Sequence, residues 1–97
     1  MRTKNAKRIS KEESAWMAEV KSLPCSVCNA PGPSEAHHME QGNHYTTIAL
    51  CIDCHRGSMN GWHGQKRMWN VMKLNENDAL NITVARLHQH GGWYGSA

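Results

Sequence analysis

Sulfur and imidazole are concentrated in one stretch, Cys25 to His63, which holds all four cysteines and five of the seven histidines. The cysteines form two Cys-x-x-Cys pairs, Cys25/Cys28 and Cys51/Cys54, with 22 residues between the pairs. A two-residue spacer lets both sulfurs of a pair face one point, and two such pairs supply the four soft thiolates of a tetrahedral structural Zn²⁺ site. Two other chemistries use the same residues. Two disulfides would consume all four thiols, but they belong to exported chains, and the basic N-terminus lacks the apolar run of a secretory signal. Cys51-Ile-Asp-Cys54-His55 also matches a haem c attachment pattern, which would leave Cys25 and Cys28 unexplained. Zinc accounts for all four positions at once.

The histidines offer a different chemistry. His37-His38 is a doublet between the cysteine pairs, His55 follows Cys54 directly, and His63 lies eight residues later among glycines. Neighbouring residues on a strand point to opposite faces, so one ring of the doublet can bind a metal while the other approaches a substrate from another side. The candidates for a second, open metal site are His37, His55 and His63. His38 is the candidate general base, since an imidazole with a pKa of about 6.5 accepts protons near neutral pH. Metal-assisted hydrolysis of a phosphodiester needs this combination of base and cation. The competing reading makes these residues polar loop positions or extra zinc ligands, and it is strongest for His63. Imidazoles accept several ions, so Mg²⁺, Mn²⁺, Ni²⁺ and Zn²⁺ all stay open as the catalytic metal. His44 reads as a loop residue, and His88 and His90 as helix-end residues.

Several elements must position these groups. With 97 residues, 39% apolar content and no Phe, the chain forms at most one domain with a modest core, for which a metal staple is expected. Residues 1–9 read as a basic arm, 10–92 as the domain and 93–97 as a frayed tail. Ser10 to Glu13 fits a capping box, and Trp16, Val20 and Leu23 share one face of a helix ending near Ser22, before Pro24. Pro31-Gly-Pro33 is a turn. Strands are expected over Ser34–Met39 and Thr46–Leu50, joined by a loop. A short helix or loop follows Cys51. A helix over Gln65–Leu74 should share a face of Met68, Val71 and Met72. Asn75 caps a last helix, Glu76 to Gln89, with Leu80, Val84 and Leu87 inward and Gly91-Gly92 as its stop. Trp16 and Trp69 read as core, Trp62 as core or base-stacking, and Met59, Met68 and Met72 as core filler.

The formal charge of +3 suggests an anionic partner only weakly. Lys7, Arg8, Arg56, Lys66 and Arg67 are the candidate phosphate contacts, with a plain solvated surface as the alternative. Glu35 and Asp53 read either as partners of His residues or as surface carboxylates. Nothing in the chain is apolar and long enough to span a membrane, and a cytoplasmic protein is expected.

The residues E-A-H-H at 35–38 and T-I-A-L-C-I-D-C-H at 47–55 resemble the HNH endonucleases, the ββα-metal nucleases, in their zinc-clamped form. The resemblance implies a small α+β fold: a zinc-stapled β-hairpin plus helix, with flanking helices at both ends. It implies His37 and His55 as metal ligands, His38 as general base, DNA as substrate and a 5′-phosphate on the product. More narrowly, C-I-D-C-H-R-G followed by G-W-H is similar to the phage recombination-enhancement proteins, RecA-dependent HNH nucleases. That likeness implies His63 as a further ligand, a phage or prophage origin, a link to recombination and the RecA filament as a partner. The resemblance runs from Cys25 to about Arg67. Where the family usually has an Asn that braces the base, nine residues before the final His, this chain has Thr46. Either a Thr hydroxyl braces the base less completely, or the base is oriented differently. The competing class is a zinc-stapled module that binds DNA or protein without cutting.

Overall fold

The computed structural model describes residues 8–89, and its first helix begins at the expected capping box. Lys7 and most of the basic arm, His90, Gly91-Gly92 and the tail 93–97 lie outside these residues. Ser10 Oγ accepts from the Glu13 amide at 3.0 Å and Glu13 Oε1 accepts from the Ser10 amide at 2.8 Å, satisfying two donors at the start of α1 (Lys11–Ser22). Leu23 leaves the helix in an extended conformation ahead of Pro24. The chain then runs through the first cysteine knuckle to β1 (Glu35–His38) and β2 (Thr47–Leu50), and on to α2 (Ile52–Arg56), α3 (Arg67–Met72) and α4 (Glu76–Gln89).

Among the described residues the fold is α+β: four helices around a two-stranded antiparallel sheet. The pairing sets Glu35 opposite Leu50, Ala36 opposite Ala49, His37 opposite Ile48 and His38 opposite Thr47. All four residues of β2 are buried, because helices cover both faces of the hairpin. Alternation divides them between two cores. Ile48 and Leu50 pack with Cys25, Val27, Cys54, Trp69 and Ala79, whereas Ala49 packs with Val20, Leu23 and Leu87, and with Trp16 and Ala36 at its edge. His37 therefore shares a sheet face with the first core and His38 with the second.

The last two helices differ from the sequence expectation. α3 is six residues long, entered and left through left-handed Lys66 and Lys73, and only Trp69 is buried in it. Val71 and Met72 are exposed, as is Met59, so they are not core filler. A helix this short is oriented by one anchor rather than a stripe, and Trp69 is that anchor: its indole Nε1 donates to the Cys54 carbonyl at 2.9 Å. On α4 the inward residues are Ala79, Thr83 and Leu87, Leu80 is half-buried and Val84 is exposed. Small side chains let the helix lie close to β2, and a hydroxyl makes the bond there. The fully buried Thr83 Oγ1 lies 2.7 Å from Ser26 Oγ and 3.0 Å from the Ala79 carbonyl oxygen, and it accepts from the Ala49 amide at 3.2 Å. Thr83→Val keeps the shape and strands two buried polar groups. It is expected to destabilise the fold by about 2–4 kcal/mol in urea denaturation, with Thr83→Ser much closer to wild type.

Candidate metal centre

Each cysteine pair makes its own knuckle. Cys25 Sγ accepts from the Val27 and Cys28 amides at 3.4 and 3.5 Å, and Cys51 Sγ caps α2 by accepting from the Cys54 amide at 3.4 Å. The first knuckle is tied to β2 through Ser26 N to Ala49 O, 2.9 Å, and Arg86 of α4 donates to the Pro24 and Cys25 carbonyls and to Asn29 Oδ1. The four sulfurs then lie within 4.8 Å of one another, all as free thiols. Cys28 Sγ and Cys51 Sγ are 3.7 Å apart. A tetrahedron with Zn–S of about 2.3 Å has edges of about 3.8 Å, so the spacing suits an ion at the centre. Burial pushes the Cys51 thiol up to about 11 and raises that of Cys54 further. Burial also opposes charge on Cys25, but the surrounding amides outweigh it and lower that thiol. Four thiolates in so small a space need a cation, and this cluster can hold a structural ion such as zinc.

Three imidazoles from three elements form a second cluster: His37 of β1, His55 of α2 and His63 of the following loop. One ring nitrogen of each lies within 4.8 Å of the others, and the ring centroids are 5.0, 5.3 and 5.2 Å apart. His37 is buried and His63 exposed, so the cluster opens toward solvent at His63. The glycines make this possible. In the loop after α2 the backbone folds onto itself, and a Cβ on Gly61 would meet the Gly57 amide nitrogen at 2.6 Å. The close coil lets Trp62 N donate to Cys54 O at 2.9 Å and His63 N to His55 O at 3.2 Å, which sets His63 beside His55.

Carboxylates orient two of the rings. Glu35 Oε1 bonds His55 Nδ1 at 2.7 Å, leaving Nε2 as the nitrogen for an ion, and Glu76 Oε2 bonds His37 Nε2 at 2.7 Å. Arg56 grips Glu35 through both Nε and Nη2, and with His55 it holds that carboxyl down to about 2. Burial lowers His37 from its ordinary value against the pull of Glu76, favouring the neutral ring that binds metals. Glu35→Gln is expected to weaken divalent-ion binding at the imidazoles roughly 10–100-fold while the thiol-bound ion stays, as read by calorimetric titration of zinc-loaded protein.

His38 stands apart from this cluster, on the opposite sheet face, with its Nε2 3.0 Å from His44 Nδ1. Burial lowers it, and His44, His37 and Lys21 add to that. Thr46 donates its hydroxyl to the Asn43 carbonyl at 3.2 Å, so it is engaged within the loop. Among the basic candidates, Arg56 is tied to Glu35, Lys66 Nζ sits 4.0 Å above the Trp62 ring, and Arg67 Nε reaches Gln65 Oε1 at 3.3 Å. Arg8 is exposed. Trp62 is half-buried between Trp69 and His37. Asp53 binds Asn60.

Glu76 and His44 were not among the site residues expected from sequence. Nothing local to Glu76 shows that the start of α4 meets a strand 39 residues earlier. His44 meets His38 only once the hairpin loop between them has folded back. No helix among the described residues is long and apolar enough to cross a membrane. Comparison of the chain with protein-family models, curated proteins and solved structures gives no match.

Proposed function

We propose that the chain is a metal-dependent DNA endonuclease of the HNH type. The observation that carries this reading is the convergence of His37, His55 and His63 at a solvent-open cluster; the second histidine of the doublet lies outside it, bonded to His44. A divalent ion on the three imidazoles would supply positive charge against the scissile phosphate and the departing oxygen. His38 takes one proton of the attacking water, the water oxygen bonds to phosphorus, and the bond from phosphorus to the 3′ oxygen breaks; that oxygen leaves with the bonding pair and takes a proton from solvent, giving a 3′-hydroxyl and a 5′-phosphate. Glu35 and Glu76 keep the rings of His55 and His37 in place. Lys66 and Arg67 bind neighbouring phosphates, while Arg56 acts mainly through Glu35.

The second reading, a zinc-stapled binding module, is favoured by one observation: Thr46, at the place of the family's bracing Asn, spends its hydroxyl on Asn43. Plasmid incubated with the protein and Mg²⁺, Mn²⁺, Ni²⁺ or Zn²⁺ separates the two. Nicked or linear DNA is the expected result. A salt-sensitive gel shift with intact plasmid under every ion overturns the nuclease reading. Repeating the assay with RecA filaments tests the recombination-linked form of the proposal.

A further inference from the structure

A general base needs one free nitrogen, and the other must be held so that the right one is free. The place of the usual brace is taken by Thr46, whose hydroxyl is turned into its own loop. What touches His38 instead is another imidazole. His38 Nε2 and His44 Nδ1 are 3.0 Å apart, and the rings meet edge to face with centroids 5.1 Å apart. His44 is half-buried in the hairpin turn, and that turn is fixed at several points. Met39 N donates to Thr46 O at 3.2 Å, Asn43 N to Glu40 O at 3.1 Å, and the Thr47 hydroxyl to the His44 carbonyl at 3.2 Å. Thr47 is also the register partner of His38, so the loop that carries His44 is pinned to the strand pair that carries the base.

We propose that His44 is a positioning residue: its Nδ1 accepts a hydrogen bond from His38 Nε2–H and thereby leaves His38 Nδ1 as the basic nitrogen. The inference rests on the nuclease reading above and adds to it a residue that neither composition nor spacing marks. Two neutral rings can share only one proton across that contact. With His38 as donor, His38 Nδ1 keeps its lone pair. With His44 as donor, His38 Nδ1 carries the hydrogen and the ring cannot take one from water there. When His38 accepts the proton of water it becomes an imidazolium with both nitrogens protonated, and the bond to His44 then has a charged donor and a neutral acceptor, which strengthens it. No proton leaves the pair in this step; it passes from water to His38 Nδ1 and stays there until the product departs.

The test combines ring-nitrogen NMR of zinc-loaded protein with cleavage kinetics on a short duplex. In the wild type, His38 is expected in the Nε2–H form. His44→Ala should mix the two tautomers of His38 and lower kcat roughly 10–100-fold. KM should stay within about twofold, since ground-state binding is untouched. His44→Asn offers an oxygen where Nδ1 sits and should restore most of the rate; His44→Gln places its amide farther out and should not. The inference is overturned if His44→Ala cleaves at the wild-type rate, if only KM moves, if the His38 tautomer ignores residue 44, or if the variant loses a bound metal ion. Failure of the nuclease reading looks different: the wild type cuts nothing under any ion while the His38 tautomer still follows residue 44. In that case the ring pair stands and its role in a reaction falls with the reaction.

Discussion

Cys54→Ser is expected to cost the chain its fold and one equivalent of zinc together. Cys25 and Cys54 are buried members of the larger core, so the ion and the apolar cluster share side chains. That core is small, and the net stability of a domain this size is about 5–15 kcal/mol. A structural zinc contributes on a similar scale, about 10–16 kcal/mol in small zinc-dependent peptides, so losing it is comparable with losing everything. Three remaining thiols around a hydroxyl hold zinc poorly, because a serine oxygen does not ionise at neutral pH as a thiol on zinc does. The expected result is a chain without a cooperative thermal transition, with flat near-ultraviolet dichroism where the wild type shows ordered tryptophans. A strong chelator should produce the same state from the wild type. A cooperative melt within about 5 °C of wild type, which corresponds to about 1 kcal/mol, would show that sulfur plays no structural part.

His38→Ala is expected to lower plasmid cleavage by about 10²–10⁴-fold, the usual contribution of a positioned base. His38 is half-buried at the hairpin and opposite Thr47, its side chain lies outside both metal clusters, and its described bond is to His44. The variant should therefore keep the wild-type melting profile and both metal equivalents. This separation tells the base from the ligands: alanine at His37 or His55 should remove a metal equivalent as well as activity. Unchanged cleavage by His38→Ala, with metal content intact, would refute His38 as the base and with it the role given to His44.

The cysteine clamp was readable in the chain because its chemistry is local: a two-residue spacer already brings two sulfurs together, and only the meeting of the two knuckles had to come from the fold. The hairpin, the capping box of α1 and the opposed directions of His37 and His38 were equally local, each set by a repeat of two or by a cap three residues long. α4 shows where such reasoning ends. Of the expected stripe Leu87 is buried and Leu80 packs against the core, but Val84 is exposed and the helix also turns Ala79 and Thr83 inward. The inward Thr83 hydroxyl accepts from the Ala49 amide of β2, a contact that apolar periodicity does not reveal. α3 departs in part: Trp69, bonded to Cys54, is its buried anchor and Met68 packs against the same core, while Val71 and Met72 face solvent. Glu76 and His44 needed the tertiary arrangement, one across 39 residues and the other across a turn.

Cys54 and His55 are consecutive, and the carbonyl between them receives both the Trp62 amide and the Trp69 indole. One peptide unit therefore belongs to the thiol scaffold, the glycine coil and the imidazole triangle. Until sulfur is satisfied, His55 has no address and the coil that delivers His63 has nothing to wind onto. The order expected from this sharing is thiol scaffold first and imidazole cluster second. Under the proposed nuclease reading, a copy without its thiol-bound ion is then expected not to cut DNA.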